Sequence, residues 1–213
     1  MLLSRVSLGL GLFAASLAAG WWLGRVGVLT SARVESLIRL VVKRLSPIVL
    51  CLLFWGLRPV DARIWWMPVI GLLVSLAAGL PAWWYARRAA LPPPQTGSFL
   101  TCAIFSNVGY LGAFVAFALY GEAAYALATL YYLTFSPLFY LLGFTIARRT
   151  SPVSAARSGA DELRLYPFLG LMAGLLLRFS GVPRPEFLGA VSLVLIPADT
   201  VLYLIAIGSQ LTF

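Results

Sequence analysis

From Ser98 to Tyr120 the chain runs for 23 residues without a charge, enough for a bilayer crossing, which takes about 20 helical residues. Yet the middle of that run reads Ser106-Asn107-Val108-Gly109-Tyr110-Leu111-Gly112. Hydrocarbon offers no partner to a freed backbone amide, so a helix-breaking stretch at mid-depth is tolerated where it faces protein or a wet cavity. Gly109 and Gly112 are expected to let the helix open, with Asn107 bonding the freed backbone or a ligand. A half-helix starting near Tyr110 would aim its positive end into the gap, a geometry that suits an anion. The rival reading is that Gly-x-x-Gly only lets a neighbouring helix pack close.

Six more apolar runs flank this one: Val6 to Leu23, Leu37 to Leu57, Ile64 to Tyr85, Ala123 to Ile146, Leu165 to Leu177 and Phe187 to Gly208. Only 11% of the residues are charged, against about 25% in soluble domains, and mean hydropathy is +0.93. The chain therefore reads as an all-α, polytopic membrane bundle of about seven spans. A signal peptide over Met1 to Gly20 is disfavoured because the apolar run continues through Trp21, Trp22 and Leu23. Those tryptophans, with Trp65, Trp66, Trp83 and Trp84, sit at run ends as interfacial anchors. Arg39, Lys43 and Arg44 open the second span and snorkel to the interface. Helix breaks are expected at Pro47 and Pro197.

Charge sets the orientation. The net charge is +9, but the basic residues stand in small groups between the runs, which excludes a nucleic-acid partner. Counting Lys and Arg on alternate sides puts 11 of 16 on one side, which makes that side cytoplasmic in an inner-membrane, multi-pass protein with its N-terminus outside. The loop Ala147 to Arg164 is then cytoplasmic. The chain has no His, and Cys51 and Cys102 lie inside apolar runs, so no metal, disulfide or cofactor site is indicated. With Ser and carboxylates dispersed there is no nucleophile and base to pair, and no enzyme is expected.

A sparse repeat joins the two ends. Ala19-Gly20 and Gly27-Val28 recur as Ala173-Gly174 and Gly181-Val182, each 154 residues later. Spans one and two thus correspond to spans six and seven, and the odd number of crossings between the copies inverts the second. Inverted repeats in secondary transporters place the substrate at the interface of the halves, between discontinuous helices. On this reading 1–147 is a first five-helix repeat, 148–164 a loop, and 165–213 two helices of an incomplete second repeat, so that the sequence reads as a fragment, a truncated product or half of something that must associate.

These same residues carry a resemblance to the auxin efflux carrier family of membrane transporters, in its bacterial form. Phe105 to Gly112 looks like the family's crossing element and Tyr120-Gly121-Glu122-Ala123 like the turn after it. Leu45-Ser46-Pro47 with Leu53-Phe54 matches the family's second span, and Tyr166-Pro167-Phe168 through Gly208-Ser209-Gln210-Leu211 resembles the opening of its second half. The resemblance implies ten helices in two inverted five-helix repeats, similar to the bile acid sodium symporters, and transport of a small organic anion by alternating access. Coupling to protons or sodium and a homodimer are compatible with it. Ala113-Phe114 stands where the family usually has a Pro, no Pro stands near Val201, and spans eight to ten are missing.

Asp199 is the acidic residue within a predicted span. A carboxylate at mid-helix costs about 2.5–3.5 kcal/mol on insertion scales, so it faces a cavity or a partner. It is read as a proton or substrate relay or, alternatively, as a group that satisfies amides freed at Pro197, a task Thr200 would share. The expected substrate site is Asn107, Gly109, Tyr110, Gly112 and Asp199, with Tyr131, Tyr132 and Ser136-Pro137 as further candidates for the lining. The alternatives to transport are a seven-helix receptor or accessory protein and a non-transporting remnant.

Overall fold

A computed structural model describes residues 2–57, 62–105, 108–133 and 165–211, and within them every regular element is helical. They form a helical membrane bundle. Helix α1 (Leu2–Arg25) has 24 residues, about 36 Å at 1.5 Å per residue. It ends where Gly27 turns to φ +76°, with the Val28 amide donating to the Leu23 carbonyl at 3.0 Å and the Gly27 amide to Gly24 at 3.1 Å. This closes the helix with two of its last carbonyls satisfied, and only glycine takes that φ without strain.

Helices α2 (Ser31–Leu40) and α3 (Ser46–Gly56) are one continuous rod joined by a wide π turn over Val41–Leu45. The break expected at Pro47 is therefore a widened turn instead. Proline removes one amide and its ring crowds the carbonyl four residues back, and the wider turn absorbs both. After a 3-10 turn at Ala62–Trp66 come α4 (Met67–Arg88) and α5 (Pro93–Ile104). Then follow α6 (Ala113–Tyr120), α7 (Glu122–Tyr132), α8 (Leu165–Phe179) and α9 (Phe187–Gly208). The stretches Arg63–Arg88, Pro93–Tyr120 and Phe187–Gly208 are long and apolar enough to cross a membrane.

Helix α9 has the bounds read from the sequence and runs unbroken through Pro197. No break opens there, and Ile196 before the proline and Leu204 two turns after it are both buried. The crossing stretch is interrupted, but earlier than expected. Phe105 leaves α5 in an extended conformation, φ −107° and ψ +100°, and from Val108 the chain is helical again, a π turn over Val108–Gly112 leading into α6. Gly109 and Gly112 are therefore inside the restarted helix and do not open it; Gly112 has φ −64° and ψ −45°.

The described helices fall into two units. The first holds α1, α2, α3, α8, α9 and the segment Tyr110–Ala126; the second holds α4, α5 and the remainder of α7. In the first, α1 lies along α9 and α3 along α8. Both contacts are backbone to backbone. A Cβ on Gly20 would lie 2.2 Å from the Ile205 carbonyl oxygen, and one on Gly174 2.5 Å from that of Cys51. In the second unit, α4 buries Gly71, Ser75, Ala82 and Ala86 while Leu73 and Leu80 stay exposed, which suits a helix with lipid on its apolar side. Trp83 and Trp84 at its end each lie under an arginine, Arg87 at 4.2 Å and Arg88 at 4.5 Å, the cation and ring pairing expected of an interfacial belt.

Candidate functional site

Asp199 lies midway along α9, 2% exposed, with Thr200 at 0% beside it. Its Oδ1 accepts a hydrogen bond of 2.7 Å from the Ser46 hydroxyl. Ser46 is the first residue of α3, directly after the π turn. One extra residue in a turn rotates everything beyond it by roughly 100°, so the wide turn decides which way Ser46 points. Asp199 thus bonds a side chain on another helix and does not patch amides near Pro197. The local task falls to Thr200, whose hydroxyl donates to the Ile196 carbonyl at 3.1 Å.

Tyr203 stands one turn beyond Asp199, on the same face of α9. Its ring is stacked on Tyr110 with centroids 3.7 Å apart and planes 9° from parallel. The Tyr110 hydroxyl is directed toward Ser46 and Asp199. Tyr125, 4% exposed, brings its hydroxyl to Thr200 from the first turns of α7. Four parts of the first unit therefore converge on one buried polar cluster: α3 through Ser46, the crossing segment through Tyr110, α7 through Tyr125, and α9 through Asp199, Thr200 and Tyr203.

Of the residues expected from the sequence, the structure brings Tyr110 and Asp199 together, 89 positions apart in the chain. Gly109 belongs to the second unit, where a Cβ on it would lie 3.0 Å from the Tyr132 ring; it makes room for that ring. Gly112 closes the π turn in ordinary helical geometry. Asn107 lies outside the described residues, as do Ser136 and Pro137. Ser46, Tyr125 and Tyr203 were not singled out beforehand. The spacing of four between Asp199 and Tyr203 is the signal that would have found Tyr203; nothing local marks Ser46, because its direction depends on the π turn. Among the described residues no three His, Cys, Asp or Glu side chains gather to hold a metal.

The cluster pairs a buried carboxyl group with three kinds of hydroxyl, those of Ser46, Tyr125 and Thr200 being buried with it. A hydroxyl can donate to a carboxylate or accept from a carboxylic acid by rotation alone, so Ser46 serves Asp199 in both protonation states. A family model described as membrane transport protein matches residues 10–160. No curated protein and no solved structure matches the chain.

Proposed function

The chain belongs to the membrane transport protein family, that of the auxin efflux carriers, and from that premise we propose that it moves a small organic anion by alternating access, with the cluster around Asp199 coupling the movement to a proton. The observation that carries the reading is the buried bond between Ser46 and Asp199 beside the Tyr110 ring. A lone titratable group inside an apolar helix is expensive to maintain and marks a pathway for ions or substrate. The chain is helical from Val108, and a helix start in the crossing segment favours an anion at its N-terminal side through its dipole.

The paired-repeat part of the proposal is supported by packing. The Gly20 contact with Ile205 and the Gly174 contact with Cys51 are related by the same offset of 154 residues at both partners, as two copies of one motif would be. The inner membrane, with the N-terminus outside, is the location this reading assigns. It assigns the chain no chemical step of its own.

The test is uptake of labelled indole-3-acetate and of labelled malate into proteoliposomes, with and without an imposed pH gradient. Asp199→Asn keeps the shape and removes the titration. Its gradient-driven uptake should fall at least about tenfold, a loss of about 1.4 kcal/mol in the coupled step, while the protein stays inserted. Uptake that responds to the gradient as in the wild type would remove the relay. A response to sodium in place of pH would assign the coupling to that ion.

A further inference from the structure

The segment Tyr110–Ala126 is seated in the first unit, although the chain on either side of it, up to Gly109 and from Leu127, belongs to the second. Besides the Tyr125 hydroxyl at Thr200, it is attached at three places. At its start, Tyr110 stacks on Tyr203. In the middle, Ala118 abuts Gly9, where a Cβ would lie 3.2 Å from the Ala118 methyl. At the far end Glu122 meets Arg184 at 2.8 Å, with side chains 24% and 15% exposed.

This last contact is built with care on both sides. Gly121, at φ +80°, reverses the chain within a single residue, so that Glu122 becomes the first residue of α7. There the helix dipole also favours its negative charge. Arg184 stands between Pro183 and Pro185, which restrict the backbone on both sides of it. The Trp55 indole donates to the Val182 carbonyl at 2.8 Å and ties that loop to the end of α3. The guanidinium then donates to Glu122, to the Leu188 carbonyl at 2.9 Å and to the Ser192 hydroxyl at 2.6 Å. Gly56 has no side chain where one would collide, since its Cβ would lie 2.1 Å from the guanidinium nitrogen.

We infer that Arg184, acting through Glu122, is the positioning residue that latches the Tyr110–Ala126 segment onto the α1, α3, α8 and α9 bundle. Elsewhere the segment is held by the Tyr110 and Tyr125 side chains and by small apolar contacts. The guanidinium makes three hydrogen bonds at once, to Glu122, Leu188 and Ser192, which fixes the orientation in which it meets the carboxylate. The partial exposure of both charges lets water take over when the pair opens, which keeps opening reversible. The latch therefore holds the far end of the segment against the start of α9. This goes beyond the proposed site, and its test needs no substrate.

The test uses the full chain in proteoliposomes, with Cys51 and Cys102 replaced by Ala and a single new thiol probed with N-ethylmaleimide. Ala113→Cys, fully buried on α6, reports on seating of the segment; Leu171→Cys, 2% exposed on α8, reports on general loosening. Glu122→Gln and Arg184→Gln should each raise labelling of the Ala113 probe about tenfold, and the double variant should raise it no further, as for two halves of one contact. The Leu171 probe should stay protected throughout. Unchanged labelling at Ala113, effects that multiply in the double variant, or equal exposure of both probes would each overturn the latch. None of these results touches the Asp199 experiment.

Discussion

At the scale of single residues, neighbours matter more than identity. Arg184 counts in the sequence as one of several loop arginines that set orientation, yet its guanidinium is seated because position 56 carries no side chain. Gly56→Ala should displace it and, in the maleimide experiment, reproduce the labelling seen with Arg184→Gln. Tyr203→Ala removes the ring under Tyr110. Such a stacked pair contributes about 0.5–1.5 kcal/mol beyond burial, so the variant should lower the thermal midpoint in detergent modestly and weaken anion uptake more than it weakens folding. Asp199 was legible as an anomaly because an acid inside an apolar run stands out by itself. Its partner was not, because a serine before a proline reads as a kink until the neighbouring helix is known.

At the scale of helices, the outline of the spans follows from apolar length and flanking charge, and α9 agrees to the residue. What happens inside a helix is harder to read. Pro47 and Pro197 present the same covalent defect, a missing amide, yet one sits beside a π turn and the other inside a regular helix. The difference lies in what packs around each. The interruption of the crossing stretch at Phe105, ahead of its glycines, has the same origin: glycine permits an opening but does not compel one, and Gly109 is occupied in receiving Tyr132. Close helix packing gives a prediction at this scale. Gly174→Ala inserts a methyl 2.5 Å from the Cys51 carbonyl and should cost about 1–3 kcal/mol, whereas Gly189→Ala, with nothing within 4 Å, should leave the thermal midpoint unchanged or raise it slightly.

For the whole molecule, the seven-span reading counts five crossings between the start of α2 and the end of α8, which would place Ser31 and Ser180, both exposed, on opposite sides of the membrane. In intact cells an impermeant maleimide should label Ser180→Cys and spare Ser31→Cys, given the arginine excess on the Ser31 side. Labelling of both from one side would contradict seven spans. Membrane residence, the helical class, the bounds of α9 and the presence of an acid on it were determined by the sequence alone, because exclusion of charge from hydrocarbon acts on each stretch of chain separately. Tertiary structure alone decided that Ser46 faces Asp199, that Tyr110 lies on Tyr203, and that Arg184 holds Glu122. Those contacts join residues 62 to 153 positions apart, and their geometry depends on the register and rotation of packed helices, which no local pattern of residues encodes.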